Sequence, residues 1–325
     1  MPKKSYFSSS FYYICLLQYT QIVMADKNQE YDALKKENSD KIHISFSEFT
    51  LFSQCGHRHL LEKHLGIYKQ PLSIHLFFGN AIHATIELSL KENMSLEKRI
   101  NHFKATFTKD MLDNMKDTVD FKNNFQDFLI QGENILKFLD LNKILDEYDL
   151  ISVEEPLYEQ AYSKFYFKGF IDLVLRHKIT KRYKILDWKT SGEDWNLKYK
   201  LKDESFLGQM RFYKYFWCRK NSVPLSEVDC TYVVLNRLKD KKNPKSFPGN
   251  IQIVDINSTD EEIKSSLKEL AKTLKMIHIE KTFPKIKFTL GEREGCKFCP
   301  LKGGKHPLCD STERQYKKLL TEHKK

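Results

Sequence analysis

The chain has 325 residues, which is enough for one large domain or two medium ones. Its composition, 41% hydrophobic and 30% charged, is typical of a soluble globular protein, and no run of about 18 apolar residues predicts a membrane span. Lysine and arginine outnumber aspartate and glutamate by 54 to 43, so the net charge is +11. Charge alone leaves two alternatives, which are an anionic partner, with nucleic acid first, or a solvated basic surface.

The first 40 residues are set apart from the rest of the chain. A basic start leads into a patchy apolar stretch that polar residues interrupt, so the resemblance to a signal peptide is weak, and Met24 is an alternative start. The charged segment that follows predicts a mobile lead-in or a short exposed helix. We therefore interpret residues 1–40 as a disordered leader or extension.

The cysteines indicate a reducing compartment. There are seven of them, unevenly spaced, which does not fit the disulfide framework of a secreted protein. Three lie together in the segment GCKFCPLKGGKHPLCDS, which is typical of metal ligands. We therefore expect a cytoplasmic protein with a metal centre or an iron–sulfur cluster.

The first half of the chain is predicted to be mostly helical. Residues 41–66 predict a short strand or turn and then a helix with Ser47 as its N-cap. Residues 77–92 predict a helix that starts after Gly79. Residues 93–148 are charged, aromatic and mostly helical in pattern, and they suggest a helical insertion.

From about residue 151 the hydrophobic period changes to that of strands. The predicted elements are three or four strands over 151–190, a helix over 205–221, strands over 229–238 and 250–256, and a helix over 258–281. A basic loop over 239–249 separates the last two strands. This order predicts an α/β core with helical additions.

Two neighbouring predicted strands each carry one acid among apolar residues. Asp172 lies in GFIDLVL and Asp187 lies in YKILDWKT. Burying two carboxylates side by side is costly unless a divalent cation lies between them, and oxygen ligands suit Mg²⁺ or Mn²⁺. Lys189 leaves the same strand face as Asp187, whereas Trp188 points away into packing with its carbonyl free to coordinate the metal. An Asp–Lys ion pair on an edge strand is the alternative for this segment alone.

The joint pattern GFIDLVL, YKILDWKT and GQMRFYKY resembles the PD-(D/E)XK nuclease superfamily, and within it the RecB-like branch. That branch includes RecB and AddB nuclease domains, the CRISPR-adaptation nucleases and exonuclease V. The resemblance implies a restriction-endonuclease-like mixed central β-sheet flanked by helices. It also implies a single nuclease domain over 41–312, with the helical insertion at about 93–148, a cysteine-stapled metal-cluster segment over 291–312 and a basic tail over 313–325.

The resemblance also implies a set of site residues. The metal-binding acid is Asp172, and the D-x-K pair is Asp187 and Lys189, with Lys189 assisting the attacking water. A helix histidine typical of the branch corresponds to His83, a further metal ligand, which favours Mn²⁺ as well as Mg²⁺. The Q-x-x-x-Y helix corresponds to Gln209 and Tyr213, near the lysine and the DNA phosphates.

The cysteine cluster resembles the 4Fe–4S site of RecB-like nucleases. Three of its ligands are Cys296, Cys299 and Cys309, and Cys55 is the upstream fourth. The alternative is a tetrahedral Zn²⁺ site made by the three C-terminal cysteines with either Cys55 or His306. In either case the metal staples the two ends of the chain around the core.

These interpretations together predict a Mg²⁺- or Mn²⁺-dependent deoxyribonuclease. We expect an exonuclease that acts on single-stranded DNA or DNA ends in recombination, repair or replication. No phosphate-binding loop of the helicase type is present in the sequence, so a helicase or recombination partner would supply unwinding. Two alternatives stay open, which are a catalytically silent nucleic-acid-binding scaffold on the same fold and an RNA-directed nuclease.

Overall fold

The computed structural model describes residues 36–66, 72–237, 250–284 and 299. The chain divides into two compact units. The first unit comprises residues 1–41, 72–158 and 169–260, and the second comprises 42–71, 159–168 and 261–325. Most of the predicted leader, the predicted metal-cluster segment apart from Cys299, and the predicted basic tail lie outside the described residues.

The described elements follow one another in an order close to the predicted one. In chain order they are β1 (Ile42–Ser45), α1 (Phe46–Gln54), α2 (Gly56–His59), α3 (Ile74–Glu92), α4 (Leu96–Met115), α5 (Val119–Phe138), α6 (Leu141–Glu147), β2 (Tyr148–Tyr162), β3 (Phe165–His177), β4 (Tyr183–Ser191), α7 (Leu197–Lys200), α8 (Glu204–Asn221), β5 (Val228–Asn236), β6 (Asn250–Ile256) and α9 (Asp260–Lys275). Turns of π-helix continue α2 over Leu60–His64 and α9 over Met276–Glu280, and a 3₁₀ turn covers Leu225–Glu227.

Two predicted helix starts were wrong. The N-cap of α1 is Ser45 rather than Ser47, because the Ser45 hydroxyl accepts a hydrogen bond from the Glu48 amide. Helix α3 begins at Ile74, where Ser73 caps the Leu76 amide, and it runs through Gly79 instead of starting after it. An interior glycine costs a helix only about 1 kcal/mol, which packing of the surrounding apolar residues outweighs.

The first unit is built on a mixed β-sheet. Strand β3 pairs with β2 and runs antiparallel to β4, β4 runs parallel to β5, and β5 runs antiparallel to β6. In the parallel pair β4–β5, Asp187 lies opposite Tyr232 and Lys189 opposite Val234. The predicted mixed sheet flanked by helices is therefore confirmed.

The two faces of this sheet carry different layers. On one face Leu173, Leu186, Trp188 and Val233 form a buried core with residues of α3, α4 and α5. The residues between them point to the other face, since side chains alternate along a strand. There the buried Tyr232 ring stacks on Phe206 of α8, with 4.3 Å between ring centroids.

The second unit contains β1, α1, α2, the first residues of β3 and most of α9. Strand β1 pairs in parallel with Phe165–Lys168. Its aromatic core includes Phe52, the fully buried His59 and Phe283, and the His59 and Phe283 rings stack with centroids 6.2 Å apart.

None of the helices in the described ranges combines the length and the apolar character that crossing a bilayer requires.

Candidate active site

The pairing of β3 with β4 brings two acids to one place. Leu173 faces Leu186 in the antiparallel register, so one further step along each strand sets Asp172 opposite Asp187. The Trp188 amide donates a 2.7 Å hydrogen bond to Asp172 Oδ2. The Trp188 indole is buried in the core on the opposite face, as the sequence predicts. The backbone of β4 therefore orients one carboxylate while its side chain supplies the other.

Lys189 lies beside Asp187 on the same strand face. Its Nζ is 2.5 Å from Asp187 Oδ2, and it also lies 5.5 Å from the centroid of the Tyr232 ring. The Asp187 side chain is 3% exposed and the Lys189 side chain is 32% exposed, so the acid is buried while the ammonium reaches the solvent. Asp187 Oδ1 accepts a 3.0 Å hydrogen bond from Gln209 Nε2.

Helix α8 presents Gln209 and Tyr213 one turn apart. Gln209 Nε2 donates to the Tyr213 hydroxyl at 3.1 Å as well as to Asp187. The Tyr232 hydroxyl donates to the Phe206 carbonyl at 2.9 Å and lies 3.4 Å from Gln209 Oε1. These contacts fix which end of the Gln209 amide faces the acid.

His83 reaches the same cluster from α3. Its Nδ1 lies 3.5 Å from Asp172 Oδ2, and 28% of its side chain is exposed. Glu87, one helical turn further, forms a 3.0 Å ion pair with Lys91. The structure thus brings together His83, Asp172, Asp187, Lys189, Gln209 and Tyr213.

Burial and charge separate the two carboxylates in acidity. Burial raises the pKa of Asp187 to about 6; Lys189 opposes this rise and Asp172 adds to it. Burial also acts to raise the pKa of Asp172, but the charge of His83 and hydrogen bonds from His83 and Trp188 hold this pKa below its usual value. In turn Asp172 raises the pKa of His83, against the opposite effect of burial. Asp172 therefore loses its proton at a lower pH than Asp187, and His83 keeps its proton to a higher pH than an ordinary histidine.

The donor types at this cluster suit a hard divalent cation. Asp172 adds to the rise in the pKa of Asp187, and Asp187 Oδ2 accepts no well-directed hydrogen bond; both features fit such an ion. In the described part of the chain, however, no three histidine, cysteine or acidic side chains are arranged as a ligand group. Lys189 contacts the oxygen of Asp187 that a cation would need.

The cysteine site is described only in part. Cys55 follows α1, and its Sγ accepts a hydrogen bond from the Arg58 amide at the start of α2. Cys299 is half-buried, whereas Cys296, Cys309 and His306 lie outside the described residues. The metal centre that these residues predict stays a prediction.

Sequence reasoning missed the position of Tyr232. The sequence placed it only within the predicted strand over 229–238, and it is fully buried. Its contacts with Lys189 and Gln209 depend on the register that sets it opposite Asp187. No pattern in the sequence fixes that register, because it joins segments that are 45 residues apart.

Comparison with protein families decides the class of this site. The family model of the PD-(D/E)XK nuclease superfamily matches residues 43–303. The chain belongs to this superfamily. The match contains both strands of the acid pair and the α8 helix, and the mixed sheet is consistent with the PD-(D/E)XK fold. A search of the curated proteins gave no match.

Solved structures with similarity to this chain were also found. One from Eubacterium rectale, described as "Putative exonuclease", shares 15% identity, with a TM-score of 0.50 over 82% of this chain and 88% of that one. The structure of SSO0001 covers 68% of this chain and 84% of that one at 16% identity, and its TM-score of 0.27 is too low to support an argument. The match to the family model confirms the predicted superfamily, while the RecB-like branch stays a prediction.

Proposed function

We propose that this nuclease is a metal-dependent deoxyribonuclease that hydrolyses phosphodiester bonds at the cluster around Asp187. The observation that carries the proposal is the contact between the Lys189 ammonium and Asp187, beside Asp172 and His83. A buried carboxylate pair beside a cation and an imidazole is expensive to maintain, and such perturbed groups concentrate at catalytic sites.

Each residue of the cluster has a distinct task. Lys189, with a partly exposed side chain, holds the attacking water and balances negative charge that develops on the phosphate. Gln209 anchors Asp187, and Tyr213 holds the second amide proton of Gln209. The Trp188 amide keeps Asp172 in place, so that both acids face the substrate with fixed geometry.

Asp172, Asp187 and His83 would hold Mg²⁺ or Mn²⁺, with the Trp188 carbonyl as a further ligand. Such an ion supplies Lewis-acid activation of the phosphate and of the attacking water. Lys189 Nζ contacts Asp187 Oδ2 and is partly exposed. Its ammonium would therefore contact the attacking water or the phosphate beside the residues that would hold the ion.

Exonuclease activity on single-stranded DNA or DNA ends, in recombination, repair or replication, is the form of this activity that we favour. The description of the Eubacterium rectale structure supports an exonuclease, although its sequence similarity is low. We further propose a cytoplasmic location, a helicase or recombination partner, and a 4Fe–4S cluster on Cys55, Cys296, Cys299 and Cys309. These proposals rest on the resemblance to the RecB-like branch and on the cysteine pattern.

The test is cleavage of DNA labelled at either end, single- and double-stranded, with Mg²⁺, Mn²⁺ or EDTA. Lys189→Ala is compared with Lys184→Ala, a matched control on the same strand whose ammonium lies over the Tyr148 ring. We expect metal-dependent cleavage that only Lys189→Ala abolishes, and the label pattern gives the polarity. Cleavage of matched RNA but not DNA would make the chain an RNA nuclease. Binding without cleavage under every metal would make it a scaffold.

A further inference from the structure

Arg237 is held at the end of β5 by unusual partners. Its amide donates a 2.8 Å hydrogen bond to the Ser191 carbonyl at the end of β4. Its guanidinium carbon lies 5.3 Å from the centroid of the Phe78 ring and 4.7 Å from that of Phe128. Nη1 donates to Gln131 Oε1 at 3.3 Å, which fixes the plane of the fork.

No carboxylate pairs with Arg237 within the described ranges. Its Nε–H group is buried and has no hydrogen-bond partner there. Burial lowers the pKa of the guanidinium, and no acidic neighbour opposes this effect. A partly buried cation without a counter-ion is costly, and an incoming anion would remove this cost.

A stripe along α3 connects Arg237 with the proposed active site. His75, Gly79 and His83 follow one another at intervals of four residues, so they lie on one face of the helix. His75 Nδ1 accepts a 3.1 Å hydrogen bond from Arg237 Nη2, and His83 contacts Asp172. Eight residues of helix span about 12 Å, which is roughly the axial rise of three to four nucleotides in one B-form strand.

Gly79, in the middle of the stripe, has no side chain, so the helix surface is recessed at this position. A Cβ at Gly79 would meet only Thr190 Oγ1, at 3.4 Å, so the space above this position is open to other atoms. His75 is exposed, and Gly79 and His83 are partly exposed. A chain of phosphates can therefore approach the helix backbone closely between the two histidines.

We propose that the face of α3 formed by His75, Gly79 and His83 is a track for the substrate strand, and that Arg237 binds a phosphate of that strand away from the scissile bond. This inference rests on the proposed function, since it places the bond to be cut at the His83 end. A planar guanidinium donates two parallel hydrogen bonds to a phosphate, and its aromatic neighbours hold the fork in position before binding. Because His75 Nδ1 accepts from Arg237, its proton is on Nε2, which is a second donor for the strand.

The experiment measures binding of fluorescent oligothymidine by anisotropy over a range of salt concentrations, in protein carrying Lys189→Ala to prevent cleavage. Arg237→Gln should weaken binding about tenfold and reduce the slope of log affinity against log salt by about 0.7. Arg237→Lys should keep the slope and lose part of the affinity. Gly79→Gln, which fills the track without changing charge, should weaken binding and leave the slope unchanged.

Arg182→Gln is the matched control. Arg182 is an exposed arginine of the same unit that is already paired with Asp229 at 2.7 Å, so its loss should change neither affinity nor slope. Thermal unfolding checks that each variant is folded. Unchanged affinity and slope in folded Arg237→Gln would overturn the track. So would a variant that changes only how inorganic phosphate competes and leaves the binding of oligothymidine unchanged.

The two proposals fail in different ways. If Lys189→Ala protein still cleaves DNA, the proposed catalytic role is wrong, and the anisotropy of the Arg237 variants, then measured in EDTA, still decides the track. If Lys189→Ala abolishes cleavage while Arg237→Gln binds as well as the parent, only the track is wrong. If the wild-type protein binds no polynucleotide at all, both proposals are overturned.

Discussion

Lys189 Nζ lies 2.5 Å from Asp187 Oδ2, and the two side chains leave the same face of β4. The contact is asymmetric, because the carboxylate is buried and the ammonium is partly exposed. Burial raises the pKa of Asp187 to about 6 despite the lysine. The ionised form of Asp187 at neutral pH therefore destabilises the folded protein, and the site retains it for function.

Asp187→Asn should make the protein more stable and inactive. The pKa of Asp187 is about 6 when folded and 3.8 ordinarily, so between these values the folded state binds more protons than the unfolded state. The free energy of unfolding then falls as pH rises through this window, and the full loss is present above it. Asparagine avoids the loss, so we expect a gain of roughly 1 to 2 kcal/mol at neutral pH in EDTA.

Thermal unfolding of both proteins across this pH window measures the effect. Asp229→Asn is the control, because Asp229 is an exposed acid paired with Arg182 whose pKa lies below its usual value. That variant should be no more stable than wild type at neutral pH. If Asp187→Asn is less stable than wild type and its stability depends on pH in the same way, ionised Asp187 does not destabilise the folded protein.

Tyr232→Phe should lower the turnover number more than it changes KM. The variant keeps the ring beneath Lys189 but removes the hydroxyl that donates to the Phe206 carbonyl and lies near Gln209 Oε1. The unpaired carbonyl should cost about 1 kcal/mol of stability. Without the hydroxyl Gln209 Oε1 loses a neighbouring donor and the amide is held less firmly against Asp187, so we expect a several-fold lower kcat.

Steady-state cleavage assays with chemical unfolding in parallel check this result. Tyr199→Phe is the control, since Tyr199 is a largely exposed tyrosine of α7 in the same unit. A several-fold fall in kcat for both variants would indicate a general effect of losing a hydroxyl. An unchanged kcat for folded Tyr232→Phe would remove Tyr232 from the positioning network.

The sequence predicted the elements better than it predicted their ends. Strands with alternating apolar residues, such as β3, and the acid within each of β3 and β4 were recognisable from local pattern alone. The start of α3 was wrong because Gly79 suggests a helix boundary, whereas tertiary packing carries the helix through it. Ser73, the true N-cap, was a signal that local reasoning could have used.

Long-range relationships were beyond local pattern. Tyr232 and Arg237 lie in or directly after a strand that the sequence predicts, but their partners come from α8, α3 and α5. Only the pairing of β5 with β4 sets Tyr232 opposite Asp187. Such contacts depend on the fold and leave no periodic trace in the chain.

The histidine cluster of the second unit should make the protein sensitive to acid. His59 Nε2 lies 2.9 Å from Glu48 Oε1, and the His64 ring centroid is 5.3 Å from that of His59 and 6.3 Å from that of His278. Burial lowers the pKa of His64 to about 4, and the charges of His59, Lys281 and His278 add to this effect against Glu48. Burial likewise lowers the pKa of His278.

The direction of the pH effect follows from these pKa values. Between pH 6.5, the ordinary pKa of a histidine, and about pH 4, the unfolded chain binds a proton at His64 that the folded protein does not bind. The free energy of unfolding is therefore undiminished above this window and falls as pH falls through it. His64→Gln should reduce the fall in melting temperature across the window, whereas His43→Gln, a variant in β1, should keep the wild-type dependence. An identical fall in all three proteins would show that other groups control acid sensitivity.

Cys55→Ser should remove the metal from the predicted C-terminal centre. Cys55 Sγ lies at the start of α2, where it accepts a hydrogen bond from the Arg58 amide. Cys218→Ser is the control, because burial raises the pKa of Cys218 to about 11 and keeps it a thiol.

Iron, zinc and sulfide are measured in protein purified without oxygen. We expect iron and sulfide in wild type and Cys218→Ser and their loss in Cys55→Ser. One equivalent of zinc without sulfide would select the tetrahedral alternative, and full metal content in Cys55→Ser would exclude Cys55 as a ligand.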